Sequence, residues 1–396
     1  MDHYSQAGYE LIKAFIIESF VARLNGTDLD TAVNLTARPD FDWDLLLQIA
    51  DYEHVSPLLY SILKDRQIAP PPMEEALARK HYYNASRNLY LLHELGQTLK
   101  LFRAAGIDTI VLKGAALIET VYKSIALRPL SDLDLLIRRK QLPAALELLA
   151  PVEYEQTSVL QRDSYYPVRL EKPGIEPVIL ELHWSLFHSL HYQEHLSMDW
   201  FWQTARTVKT GLQPMTIMGS VGQILHLCGH LVLHHAHGPQ LLWQNDLAEL
   251  LTVYKNEIDW NLLLDKAETF QLILPLRNIL LPIAHEWGAS MPKKILHRLE
   301  TMEVSAVETR IHTLNTTKKK SEGQGYWLRL NEIAGWRKRL VFVLEWLFPS
   351  PVSLRSRYRF SQPLLVPLAY LYHMWVGARL GVGALLTRFR KANSSM

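Results

Sequence analysis

Residues 130–137 read LSDLDLLI, two aspartates one residue apart inside an otherwise apolar run. Few arrangements can hold such a segment. On a strand, alternate side chains share a face, so Asp132 and Asp134 look one way while Leu133 and Leu135 look the other. Neighbouring carboxylates repel, and a sheet carries them only when something positive lies between them. A divalent cation with hard oxygen ligands meets that need, Mg²⁺ foremost and Mn²⁺ next. The plainer alternative is a solvated edge strand, but LDLLI is too apolar for an edge.

A third acid strengthens the metal reading. Residues 176–184, EPVILELHW, set Glu181 within another apolar run, where an unpaired charge is costly. If this strand lies beside the first, Glu181 joins the two aspartates, and His183 falls on the same face. Three acids from neighbouring strands are what a two-metal phosphoryl-transfer site requires. Upstream, VLKG (residues 111–114) runs into AALIETVYKSI, a strand feeding a helix. Gly114 allows close backbone approach, and the free N–H groups of the helix start form an anion site. Lys113 adds a positive charge there, and Arg128, just before Pro129, could reach the same phosphates. An ordinary strand-to-helix turn and a surface ion pair are the bland readings of these residues.

The surrounding pattern predicts the architecture. At roughly 150 residues per domain, a 396-residue chain holds two or three domains. Helical spacing fills residues 1–105, helices and short β-rich runs alternate over 106–210, and helices return over 211–315. Residues 316–396 form a polar linker and a basic, aromatic-rich helical tail. The expected class is α+β: a small α/β core with a mixed sheet, flanked by helical regions.

The run LKGAALIETVYKSIALRPLSDLDLLI resembles the core motif of an uncharacterised branch of the polymerase-β-like nucleotidyltransferase superfamily. The resemblance extends from about Trp43 to about Trp287. It implies Mg²⁺-dependent transfer of a nucleoside monophosphate from an NTP to an acceptor that it does not identify. It also implies that Gly114 is the triphosphate turn and that Asp132, Asp134 and Glu181 are the metal-binding acids. The superfamily's usual Gly-Ser is Lys113-Gly114 here. His230, His234 and Asp246 resemble positions of the family's helical region, which makes them expected cleft residues. Two other classes remain open: a metal-dependent glycosyltransferase using the Asp-x-Asp pair, and a catalytically silent nucleotide-binding scaffold.

The helix VGQILHLCGHLVLHHAHG carries His226, His230, His234 and His237 along one face. Cleft lining, packing and a zinc site are all compatible with that stripe, although HLVLH lacks the glutamate of HExxH. Charge is uneven along the chain. From Tyr326 to Lys391 there are 11 Lys/Arg against two acids, a net +9, although the whole chain carries only +2. An anionic membrane surface suits such a tail, simple packing on the body is the plainer expectation, and no nucleic-acid module is recognisable. A single cysteine, Cys228, excludes a disulfide framework and suggests a reducing compartment. The opening residues lack a basic segment before an apolar run. A cytoplasmic place is expected, with the inner membrane surface as a peripheral site for the tail.

Overall fold

A computed structural model describes residues 6–377 apart from 123, 158–166, 212–213, 237–239, 319–321, 334, 350, 359 and 361. His237 lies outside the described residues. Among the described residues, seven strands form one mixed sheet: β1 (Thr109–Val111), β2 (Leu133–Ile137), β3 (Glu155–Gln156), β4 (Val168–Lys172), β5 (Val178–His183), β6 (Arg206–Val208) and β7 (Met215–Ile217). Their order is β3-β4-β5-β2-β1-β7-β6, so the acidic strand β2 is central. All five of its residues are buried, which accounts for the near-continuous apolar run.

β2 pairs with β1 antiparallel and with β5 parallel, and Asp134 stands opposite Glu181 in the ladder. β6 and β7 were not expected. Each has three residues, too few for a period of two to register. Because β7 pairs with β1, the sheet extends to Ile217, and helix resumes only at Ser220.

Two apolar cores hold these elements. One joins Phe15, Leu46 and Leu59 of the N-terminal helices to Leu225, Leu247 and Leu276 of the helices after the sheet. The other lies under the sheet, with Leu95 and Phe102 packed on Leu133, Leu135 and Leu180. The 34-residue helix Pro71–Ala104 serves both, Met73 and Leu77 in the first and Leu91 to Phe102 in the second. Each such side chain contributes about 1.5–3 kcal/mol on full burial. Polar ties supplement the packing: buried Glu53 accepts from the backbone N–H groups of Gln240 (2.6 Å) and Leu241 (2.8 Å). A carboxylate there satisfies the unpaired donors at the start of the helix Leu241–Val253.

The tail begins with the helix Glu322–Glu332, which is anchored to the body. Buried Glu332 accepts from Ser189 Oγ (2.8 Å) and the Leu190 N–H (3.0 Å). Helices follow at Trp336–Leu347, Pro351–Tyr358 and over residues 366–377, the first and last tied into a hairpin where Tyr370 Oη donates to the Pro349 carbonyl and His373 Nε2 to the Trp346 carbonyl. Among the described residues, no helix is long and apolar enough to cross a membrane.

Candidate active site

The parallel pairing of β2 and β5 brings two acids together on one face of the sheet. Asp134 is 4% exposed, and its Oδ1 accepts from Lys113 Nζ (2.7 Å) and from His183 Nε2 (2.8 Å). The same imidazole nitrogen is 3.5 Å from Glu181 Oε2. On the other side, Arg169 Nη1 stands 3.7 Å from Glu181 Oε1. Donor atoms of Asp134, Glu181 and His183 all lie within 4.8 Å of one another. Asp132 is outside that trio. It precedes β2, and Ser131 Oγ donates to its carboxylate at 2.8 Å.

Burial alone would raise the Asp134 pKa, but Lys113 and His183 hold its carboxyl well below the usual carboxylate range. Burial likewise opposes charge on Lys113 and His183, yet the surrounding acids outweigh it and raise both pKa values. The Asp132 pKa is raised by burial and then by the Asp134 charge. The repulsion expected between neighbouring carboxylates is thus offset at Asp134 by an ammonium and an imidazole. Two carboxylates and an imidazole are also donors that a divalent cation accepts.

Lys113 opens the helix Lys113–Thr120 with φ +47°, a left-handed conformation that costs a non-glycine residue roughly 1–3 kcal/mol. Such strain is concentrated at functional sites. Leu112 at the N-cap makes no side-chain capping bond, and the first N–H groups of a helix start left so suit an anion. Gly114 is needed for a reason that the sequence did not reveal. A Cβ there would collide with the Arg128 guanidinium and stand 2.7 Å from Leu130 Cδ2.

Arg128 and Asp246, both expected at phosphates or in the cleft, are bound to each other. Arg128 Nη2 donates to Asp246 Oδ2 at 2.8 Å and Nε to Oδ1 at 3.1 Å, while Nη1 donates to the Pro129 carbonyl at 2.7 Å. Tyr122 Oη donates to the same carboxylate at 2.6 Å. Asp246 is wholly buried and Arg128 6% exposed. The pair therefore clamps the sheet unit to the helix Leu241–Val253.

The acids look into a cavity of about 1340 Å³, whose lining also includes Lys113, His230 and His234. His230 and His235 approach Nε2 to Nε2 at 3.0 Å, and the His188 N–H donates to His234 Nε2 at 3.1 Å. Burial pushes the His226 pKa down to about 3 and holds those of His230 and His234 well below the ordinary value. This wall of the cavity is therefore neutral imidazole. Sequence reasoning overlooked His188 and Arg329 in the lining. His188 follows β5 by five residues in an aromatic turn and has no periodic signal, and nothing local connects Arg329 to a sheet so distant in sequence.

A family described as uncharacterised nucleotidyltransferase matches residues 39–288. The chain belongs to that nucleotidyltransferase family. The matched span contains both acidic strands and the histidine helix, and it ends before the tail. It agrees with the resemblance carried by residues 112–137. Among solved structures, an antigenic nucleotidyltransferase-like protein from Paracoccidioides brasiliensis is similar, with 14% identity and a TM-score of 0.37. The similarity covers 52% of this chain and 96% of that one. No curated protein matches the sequence.

Proposed function

We propose that this nucleotidyltransferase moves a nucleoside monophosphate from an NTP to an acceptor hydroxyl with the help of a divalent cation, Mg²⁺ or Mn²⁺. The observation that supports the reading best is Asp134 opposite Glu181 on neighbouring parallel strands, at the cavity wall and beside an uncapped helix start. A glycosyltransferase using Asp-x-Asp has no need of that third acid. Asp134 and Glu181 would hold the cation, His183 would orient Asp134 through its 2.8 Å hydrogen bond, and Asp132 would add its carboxylate at the cavity side. When bound, the cation neutralises phosphate charge and polarises the reacting oxygens.

The chain's own groups do the rest. Lys113 and the amides after it bind the triphosphate. The acceptor oxygen attacks the α-phosphorus, pyrophosphate leaves, and Glu181 takes the hydroxyl proton. Positioning and charge neutralisation carry most of such a reaction, and the neutral imidazoles of His230 and His234 line the space for the nucleotide or acceptor. The test is incubation with each labelled NTP, Mg²⁺ and a cell extract. Label should pass to an acceptor with wild type and not with Asp134→Asn or Glu181→Gln. Equal transfer by the variants would show the acids to be structural.

A further inference from the structure

The helical hairpin of the tail exposes apolar surface that nucleotidyl transfer does not use. Leu364, Leu368, Leu371, Tyr372 and Trp375 recur at helical spacing and are 90, 62, 63, 53 and 56% exposed. That is one continuous face. The helix Trp336–Leu347 repeats the pattern, with exposed Trp336, Leu340 and Leu344 at four-residue steps and exposed Phe348 just past its end. The orientation is fixed by the opposite faces. His373 Nε2 donates to the Trp346 carbonyl at 2.7 Å, and Tyr358 Oη donates to His373 Nδ1 at 2.8 Å. A Cβ on Gly377 would stand 2.6 Å from the Trp346 ring. The apolar stripes therefore point outward because their backs are locked.

The charge beside these stripes indicates what covers them. Over the described residues from 336 to 377 there are five Lys/Arg (Arg337, Lys338, Arg339, Arg355 and Arg357) and a single acid, Glu345, and the sequence from 336 to its end carries five more Lys/Arg and no further acid. Arg337 is exposed next to Trp336, its guanidinium 5.5 Å from the ring. An outward apolar face, tryptophan and tyrosine along it and basic residues beside it are the features of a segment lying in a membrane interface. A second copy of the chain would meet this face with the same positive charge. We propose that the hairpin 336–377 docks in the plane of a bilayer surface that carries anionic headgroups, with Leu364, Leu368, Leu371 and Trp375 entering the acyl boundary.

Sedimentation of the full chain with phosphatidylcholine vesicles, and with vesicles also containing phosphatidylglycerol, tests this at low and high salt. Wild type should bind the anionic vesicles at low salt roughly tenfold or more tighter than the neutral ones, and salt should weaken that binding. Leu368→Glu and Leu371→Glu, both at exposed positions, should keep the wild-type melting temperature and lose vesicle binding by a similar factor. Equal binding to both vesicle types, or none, overturns the proposal. So does a wild-type dimer that Leu368→Glu makes monomeric, because a second copy would then cover the face. Oligonucleotide binding with vesicle binding indifferent to both variants would reveal a general polyanion surface and overturn it as well.

Discussion

Asp246→Asn isolates the clamp between the two halves of the chain. The substitution keeps the side-chain size and removes the charge that faces Arg128, which is 6% exposed and has donors at 2.8 and 3.1 Å from the carboxylate. Guanidinium does not give up its proton, so the variant buries an uncompensated cation. Removing one partner of a buried pair costs about 3–5 kcal/mol. Unfolding entropy of roughly 2.1 cal/mol/K per residue over 396 residues gives about 0.8 kcal/mol/K, and hence a melting temperature lower by ~4–6 °C. Arg128→Met should cost a similar amount by stranding Asp246, and the double variant Arg128→Met/Asp246→Leu should recover most of the loss. Thermal melts of these proteins, with Asp246→Leu alone added to close the cycle, give the coupling, and Mg²⁺–NTP binding well below the melts gives the second readout. If Arg128→Met melts within about 1 °C of wild type but weakens NTP binding tenfold, the guanidinium serves phosphate and the clamp argument fails.

Asp134→Asn should abolish transfer by several orders of magnitude. It should also lower the stability of the metal-free protein, because buried Lys113 loses the negative charge of the carboxylate that its Nζ meets at 2.7 Å; a melting temperature above wild type would show that carboxylate repulsion dominates instead. Gly114→Ala should cost about 1–3 kcal/mol through its clash with Arg128 and Leu130, and an unchanged urea midpoint would contradict this. His226 and His230 are buried with lowered pKa values, so their unfolded forms take up protons first as pH falls below about 6.5, each costing about 1.4 kcal/mol of stability per pH unit. His183 has a raised pKa and acts oppositely, its contribution complete below about 6.5 and lost as pH rises through its folded value. Urea midpoints at two pH values below 6.5 should therefore diverge less for His226→Asn than for wild type, and equal divergence would refute the assignment.

The sequence was most informative where geometry is periodic. Alternation in LSDLDLLI and VILELH predicted which side chains share a face, and pairing in the sheet then set Asp134 against Glu181. Short strands escaped because β6 and β7 have no room for a pattern. The Arg128–Asp246 pair escaped because its partners are 118 residues apart, and nothing in either neighbourhood signals the other. Asp132 and His183 illustrate a subtler limit. Spacing identified both as facing the acids, but it could not tell which would reach them. His183 extends from the paired strand itself, whereas Asp132 lies where β2 has yet to begin.

The cavity has a floor and a wall of different origin. Asp134, Glu181 and Lys113 lie inside the span shared with the family, whereas Arg329 and Glu332 reach the same space from a helix beyond residue 288. The cavity is thus completed by residues that lie outside the family match. For protein engineering, the helix Glu322–Glu332 offers a place to reshape the cavity lining at Arg329 without touching the acidic strands, provided the Glu332 anchor to Ser189 and Leu190 is kept.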